Sequence, residues 1–467
     1  MQDIFQAQQR HRLTVARTTA AERIAKLQRL HDTMLRYRDD IKAALWQDFR
    51  KNGFETDISE LGVVNGEIRH AIRYLRSWMA VQPVGTPLVL LGTSSEIRYE
   101  AKGVCLILSP WNFPFNLTLS PLVAAVAAGN CVIVKPSEYA PASAALMKKI
   151  VEACFPPEEV ALLEGGVALA QALLELPFNH VFFTGSPTVG KLVMAAAARQ
   201  LSSVTLELGG KNPVVVDETA DLDVAAEKIA WTRTMNAGQS CISPDYVLVH
   251  ESVHDALVQK IRQRLDRFYG SDPEARQASP DYCRIINARS FGRIKGWLDD
   301  AVQQGAQVAY GGRTDEASCY IEPTVLTHIP EGAAIWNEEV FGPVLSVRAY
   351  SDLSAALAFI RSKPVPLAAY IFSARQRNIR QFLAESQSGN VTVNDCEVHF
   401  YNPQLPFGGL NNSGIGRAHG HFAFLEFSHA RGVCRQNRWK PLTDLFHPPY
   451  GKKWLQKLLA EAVVKWF

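Results

Sequence analysis

Residues 20–79 set Ile24, Leu27, Leu30 and Leu35 among many charged positions at helical spacing, which predicts a helical packing scaffold. The stretch PVGTPLVLLGTSSEIRYEA then breaks this period with Pro and Gly. It goes on to alternate through Ile97, Tyr99 and Ala101, as an extended interaction arm or hairpin does. Beyond it, short apolar runs alternate with helical stretches. GVCLILSP comes first, CVIVKPSE precedes PASAALMKKIVEA, and HVFFTG precedes VGKLVMAAAARQL. Strands apolar on both faces, separated by helices, predict a parallel sheet in a doubly wound α/β domain, the natural cofactor domain. After Gly210 the alternation restarts with NPVVVD, DVAAEKIAWTRTM and YVLVHE, and continues with PVLSVRAY, LAAYIFS and NVTVND. A second α/β domain is the economical reading, with a boundary near residue 210.

Two apolar stretches bear on membranes. Residues 117–134 are interrupted by Ser120, Pro121, Gly129 and Asn130, too early for a spanning helix. The chain ends in WLQKLLAEAVVKWF, whose apolar pairs recur every four residues and predict an amphipathic helix. Three readings of that helix compete: docking over a substrate entrance, anchoring at a membrane surface through Trp454, Trp466 and its lysines, and packing on a dimer partner.

Length and charge narrow the class. A chain of 467 residues exceeds a single core and suits two or three packed units. Hydrophobic residues at 47% and charged residues at 20% are those of an ordinary globular protein. Lys and Arg total 49 against 46 Asp and Glu, with no basic stripe, so nucleic acid is not an expected partner. MQDIFQAQQRHR has no apolar core behind a charged start, so no secretory signal is read and a cytoplasmic location is expected. The 8 cysteines contain no C-x-x-C pair, which points away from a zinc ribbon or a disulfide framework, and no metal is expected.

Several segments carry candidate chemistry, each with a plainer alternative. In MNAGQSCISPDY, Cys241 follows Gly238, Gln239 and Ser240 between a helix and a strand, where a thiolate is reachable and backbone N–H groups face a reacting oxygen. A core cysteine beside a turn reads equally well. In VTLELGGK, Glu207 closes an alternating run before Gly209 and Gly210, a fitting place for a general base, although a lone Glu before a turn is usually solvated. In LSPWNFPF, Asn112 stands in a stiff aromatic loop that suits an oxyanion donor or a capping Asn.

The remaining segments suggest ligand contacts. HVFFTGSPTVGK ends a strand at Gly185 and Ser186 and starts a helix at Pro187 running through Gly190. That is an anion site with G-x4-G spacing, a variant dinucleotide turn if not a plain βα turn. In VIVKPSE, Lys135 and Glu138 follow a buried-type strand and could address ribose hydroxyls or form a surface ion pair. NEEVFGPV sets Glu339 and Phe341 before a Gly-Pro turn and alone says only loop. GIGRAHG looks like a dinucleotide loop, but it follows no apolar strand and NNSG ahead of it reads as loop, so it is set aside as a dinucleotide site.

Taken together, PWNFP, KPSE, FTGSPTVG, ELGGK, GQSC, EEVFGP and PFGGLNNSGIG resemble the aldehyde dehydrogenase superfamily in order and approximate spacing. The short N-terminal region, CISPDY and FSHARGV resemble its class 3 branch of fatty and aromatic aldehyde dehydrogenases, and HPPYGK is similar to bacterial coniferyl aldehyde dehydrogenases. Ser243, where Ala is common in class 3, is not read functionally.

The resemblance implies a variant Rossmann NAD(P)-binding domain over residues 1–83 and 100–209 and a catalytic domain over 210–399. Bridging or oligomerisation segments follow at 84–99 and 400–435, with a tail at 436–467. It also implies Cys241 as nucleophile, Glu207 activating the deacylating water, and Asn112 with the Cys241 N–H stabilising the oxyanion. Lys135 and Glu138 would hold the adenosine ribose, Ser186 with Gly185 and Gly190 the pyrophosphate, and Glu339 the nicotinamide ribose beside Phe341. The implied substrate is an aldehyde, oxidised to a free acid because Glu207 serves hydrolysis, whereas a CoA-acylating relative needs no such base. A homodimer, NAD preferred with NADP tolerated, and a cytoplasmic or membrane-peripheral location complete the expectations. The alternatives are an acylating dehydrogenase of the same fold and a non-catalytic binding protein.

Overall fold

The computed structural model describes residues 1–87, 90–436, 444, 446–450 and 454–466. Helices fill the first part of the chain, beginning with Gln2–Ala16, which the apolar spacing did not announce. The helix Ala20–Arg36 starts at Thr19 with a capping box to Glu22 and buries Leu27, Leu30 and Met34, whereas Leu35 falls off the buried face and is exposed. Gly62–Trp78 buries Ile68, Ala71 and Leu75 along one stripe.

The strands β1 (Gln82–Val84) and β2 (Thr93–Ala101) open an antiparallel arm that is completed near the end of the described core. Five parallel strands follow: β3 (Val104–Leu108), β4 (Cys131–Lys135), β5 (Val160–Leu162), β6 (His180–Gly185) and β7 (Ser203–Leu208). β3 and β4 are buried along their whole length, as their continuous apolar sequence requires. The stretch 117–134 is mostly the buried helix Asn116–Ala128, closed by Gly129 in the left-handed region and followed by β4. Among the described residues no helix is long and apolar enough to cross a membrane.

The second sheet holds β8 (Pro213–Val216), β9 (Tyr246–His250), β10 (Gln307–Tyr310), β13 (Thr324–Thr327), β14 (Val344–Tyr350), β15 (Ala368–Phe372) and β16 (Asn390–Val393). Between β10 and β13 lies a separate small ladder of β11 (Thr314–Asp315) and β12 (Tyr320–Ile321). The sheet order is β10-β13-β14-β9-β8-β15-β16, parallel except for β10. The expected pair of α/β sheets is therefore present.

Two late segments return to the first half of the chain. β17 (Gly414–Ile415) extends the first sheet antiparallel to β7, giving β17-β7-β6-β3-β4-β5, with Gly414 opposite Glu207. The first glycine of GIGRAHG is thus a strand residue paired against the strand that carries Glu207, a long-range pairing that the local sequence does not announce. β18 (Ser428–Gln436) pairs with β2 along 9 residues and forms an edge of the arm. The helix Trp454–Trp466 carries the tail, with Trp454, Leu458 and Val464 exposed.

In the first sheet, β3 leads to β4 and β5 on one side and β6 to β7 on the other. The strand order therefore reverses between β3 and β6. A crevice beyond the carboxyl ends of strands at such a reversal is where doubly wound sheets bind ligands.

Candidate active site

At that reversal a cleft of about 480 Å³ is lined by Pro110, Trp111 and Asn112 after β3, and by Thr184, Gly185 and Ser186 at the end of β6. Glu207 and Gly209 reach it from β7, while Cys241, Glu339 and Phe341 reach it from the second half of the chain. The volume lies in the range of small-molecule sites. Of the candidates, Cys241, Glu207, Asn112, Gly185, Ser186, Glu339 and Phe341 thus line one cleft.

Gly190, Lys135 and Glu138 stand outside this lining. Gly190 lets its helix close on β7, since a Cβ there would lie 2.8 Å from Leu208 Cδ2. Lys135 ends β4, one strand away from the cleft, and its Nζ donates to Glu138 Oε2 at 3.1 Å and to the Pro136 carbonyl at 3.0 Å.

The nucleophile candidate sits on a turn of unusual backbone. Asn236, Ala237 and Gly238 have φ of 53°, 49° and 71°, three successive residues in the left-handed region. Side chains favour this region only at cost, so the surroundings must hold it. Asn236 N donates to Glu55 Oε1 at 2.9 Å, and its Nδ2 donates to the carbonyls of Asn112 at 2.9 Å and Gln239 at 3.0 Å. Gln239 Nε2 donates to the carbonyls of Asn236 and Arg284, and its Oε1 accepts from Ile286 N. After the turn, Asn212 Nδ2 donates to the carbonyls of Cys241 at 2.9 Å and Ser243 at 3.0 Å.

Neither Asn236 nor Gln239 was singled out for this bracing role, although both stand in NAGQSC. Ser243 is buried and its Oγ donates to the Thr232 carbonyl at 3.1 Å, a structural duty.

Cys241 is half-buried. Burial holds its thiol well above the ordinary thiol value, and the carboxyl groups of Glu339, Glu207 and Glu397 add to the effect. Glu207 is buried, and neither of its carboxyl oxygens has a hydrogen-bond partner among the described residues. Burial raises its proton affinity far above a free carboxylate's; Arg417 opposes this and Glu426 reinforces it. The plain reading of Glu207 as a solvated residue is thereby removed. Arg417 is fixed by donating Nη1 to the carbonyls of Gly409 and Gly416.

Asn112 is buried, and its Nδ2 donates to the Gln239 carbonyl at 3.0 Å. An amide has a second N–H, which this bond does not use.

On the other wall, Ser186 caps the helix Pro187–Arg199, its hydroxyl accepting from Val189 N at 3.4 Å. Glu339 is pushed up to about 8, first by burial and then by Asp245, and its Oε1 has no partner. It packs against Gly209, where a Cβ would lie 2.0 Å from Glu339 Oε2, so a side chain at that position would displace the Glu339 carboxyl. Asp245 in turn accepts from Lys211 Nζ at 2.5 Å and from Val340 N at 2.8 Å, fixing the loop that carries Glu339. Phe341 meets Trp111 edge to face with ring centroids 5.5 Å apart.

Comparison with known proteins agrees with the motif order. Residues 2–433 match the aldehyde dehydrogenase family. The chain is 42% identical over 429 residues to the 4,4'-diaponeurosporen-aldehyde dehydrogenase of Staphylococcus aureus, covering 92% of each chain. It is 42% identical over 454 residues to aldehyde dehydrogenase family 3 member B1 of Rattus norvegicus, covering 97% of this chain and 95% of the relative. Among solved structures, the substrate-bound state of Staphylococcus aureus AldH superposes with a TM-score of 0.94 at 38% identity, covering 99% of each chain.

Proposed function

Because the chain belongs to the aldehyde dehydrogenase family, is class 3-like and is an oxidoreductase acting on aldehydes, we propose that it forms its acid through a thioester on Cys241. The substrate class in this reading is a medium- or long-chain aliphatic or an aromatic aldehyde. One observation carries it: a buried carboxyl without a hydrogen-bond partner, Glu207, lines the same cleft as Cys241 and Asn112.

The cleft suits a nicotinamide dinucleotide. Glu339 offers a buried, unpartnered oxygen, and Ser186 with the helix N-terminus behind it offers an anion site. Glu339 would hold the nicotinamide ribose beside Phe341, Ser186 with Gly185 and Gly190 the pyrophosphate, and Lys135 with Glu138 the adenosine ribose. The bound cofactor supplies the hydride acceptor. Beside a bound adenosine ribose the Glu138 carboxylate would repel a 2′-phosphate and Lys135 would attract it, which supports NAD as preferred and NADP as tolerated.

The protein's own groups supply the rest. The Cys241 thiolate adds to the aldehyde carbon, and the free N–H of Asn112 with the Cys241 N–H stabilises the resulting oxyanion. Once the adduct is oxidised, Glu207 takes a proton from water as that water attacks the thioester. Its raised proton affinity makes it the stronger base, and the acid and the free thiol are released. An acylating enzyme would have no use for this base, and a binding protein none for the assembled Cys241, Glu207 and Asn112.

We assign residues 1–83 and 100–209 to the cofactor unit and 210–399 to the catalytic unit. Residues 84–99 and 400–435 bridge them and carry assembly. A homodimer is supported by the 9-residue edge strand β18 of the arm, which pairs with no further strand beyond β2 among the described residues. Trp454, Leu458 and Val464 of the tail helix are exposed, and docking over the substrate entrance, packing on a partner and a peripheral membrane contact are its proposed uses.

Stopped-flow measurement of NADH formation by Glu207→Gln tests the mechanism. A near-stoichiometric burst is expected to survive while steady turnover collapses. Unimpaired turnover with acid as product would sink the role given to Glu207.

A further inference from the structure

A second, narrower chamber adjoins the cleft, and Cys241 and Leu117 line both. Its apolar walls are Phe113, Leu117, Met235, Ile242, Phe400 and Tyr401. An aldehyde whose carbonyl reached Cys241 from this side would have its body among these side chains. Most polar groups of the chamber are already engaged within the protein. Ser59 Oγ donates to the Glu55 carbonyl at 2.7 Å, and Asn116 Nδ2 donates to the Ser59 carbonyl at 3.1 Å. Asn116 Oδ1 accepts from Ser120 Oγ at 3.0 Å.

Glu397 is the exception. It is buried in the same wall, and the one hydrogen bond to its carboxyl among the described residues comes from Ser240 Oγ at a long 3.5 Å. No ion pair reaches it among those residues. Burying a carboxyl with so little compensation is costly, and Glu397 also carries a φ of 62°, a second cost at the same residue. Burial raises the carboxyl to about 8, so that near neutral pH it is largely a neutral acid able both to donate and to accept. Costs gathered on one side chain beside a nucleophile mark it for a substrate contact.

We propose that Glu397 is a specificity-determining residue whose carboxyl receives a hydroxyl on the otherwise apolar body of the aldehyde, so that hydroxylated aldehydes are selected over their alkyl isosteres. The proposal rests on the assignment of Cys241 as nucleophile. An apolar side chain at position 397 would accept both kinds of body, whereas a site built to hydrogen-bond a hydroxyl rejects the analogue lacking it, because its own polar group is left unpaired.

The test uses the full-length enzyme with NAD and four probes: 3- and 4-hydroxybenzaldehyde and 3- and 4-methylbenzaldehyde. The quantity read is the hydroxy-to-methyl ratio of kcat/KM at each ring position. Comparing variants by this ratio cancels the intrinsic reactivity of the aldehydes. Glu397→Leu is expected to lower the ratio about tenfold or more at one ring position at least, and Glu397→Gln, which keeps a hydrogen-bonding head, by less.

Leucine is preferred to a β-branched residue because of the positive φ, and Glu397→Met carries the same expectation should the leucine variant fail to fold. A ratio that is the same in wild type, Glu397→Leu and Glu397→Met overturns the proposal. Cys241→Ala separates this failure from that of the underlying reading. Sustained oxidation of the probes by that variant overturns the nucleophile assignment, whereas an inactive Cys241→Ala beside an unmoved ratio overturns the role of Glu397 alone.

Discussion

The side-chain amide of Asn112 donates to the backbone carbonyl of Gln239 at 3.0 Å, joining the loop after β3 to the turn that delivers Cys241. The contact uses one N–H of the amide, and in the proposed mechanism the other meets the developing charge. A donor held before the reaction loses no reorganisation energy during it. Asn112→Ala is expected to lower kcat about 10²–10³-fold with a much smaller change in KM. Steady-state kinetics on a single aldehyde checks this, and a loss confined to KM would assign Asn112 to ground-state binding instead.

The turn itself yields a stability prediction. Gly238 has φ of 71°, and a Cβ there would stand 2.3 Å from the Gly342 carbonyl oxygen and 2.8 Å from that of Arg233. Both neighbours are backbone and cannot swing aside. Gly238→Ala is expected to destabilise the fold by about 3 kcal/mol or more and to cost activity, through strain and overpacking together. An unchanged unfolding midpoint with full activity would show that the turn relaxes freely.

The α/β sheets were legible because buried strands such as β3 and β4 are unbroken apolar runs and their helices keep a clean period. The ordered motifs likewise brought Cys241, Glu207 and Asn112 to notice. What stayed hidden depends on distant partners. The helix Gln2–Ala16 buries only Phe5, Gln8 and Val15, too sparse a stripe to read. β17 exists because Gly414 pairs with Glu207 across the chain, and the left-handed Asn236 is held by Glu55 from the N-terminal helices. Glu397 lies in NDCEVHF, where nothing local distinguishes it from a solvated loop carboxylate.

The charges around Cys241 predict a pH dependence. Burial and then Glu339, Glu207 and Glu397 all favour the protonated thiol, so the reactive thiolate accumulates only as pH rises past the ordinary thiol range. Glu207 must also lose its proton before it can act as a base, and its burial shifts that event upward as well. Activity should therefore climb on the alkaline side and fall steeply with acid. The rate of iodoacetamide alkylation of Cys241 against pH isolates the thiol. Its midpoint is expected above that of a free thiol and should move down in Glu339→Gln, which deletes the largest of the three carboxyl contributions. An unmoved midpoint would mean that Glu339 does not act on the sulfur.

In the proposed reading, cofactor choice turns on a single ion pair outside the cleft lining. Lys135 Nζ lies 3.1 Å from Glu138 Oε2, so the lysine's charge is partly answered within the protein and a second anion beside it meets the carboxylate. Removing that carboxylate in Glu138→Gln leaves Lys135 to a 2′-phosphate. The ratio of kcat/KM for NADP to that for NAD should rise about tenfold, the worth of one charge-assisted hydrogen bond at ~1.4 kcal/mol. Lys135→Gln should move the same ratio in the opposite direction, since the phosphate then meets a carboxylate alone. Because both variants are read as ratios between two cofactors, a general loss of activity does not disguise the result. Ratios that stay fixed in both would show that the pair closes the end of β4 and never meets the ribose.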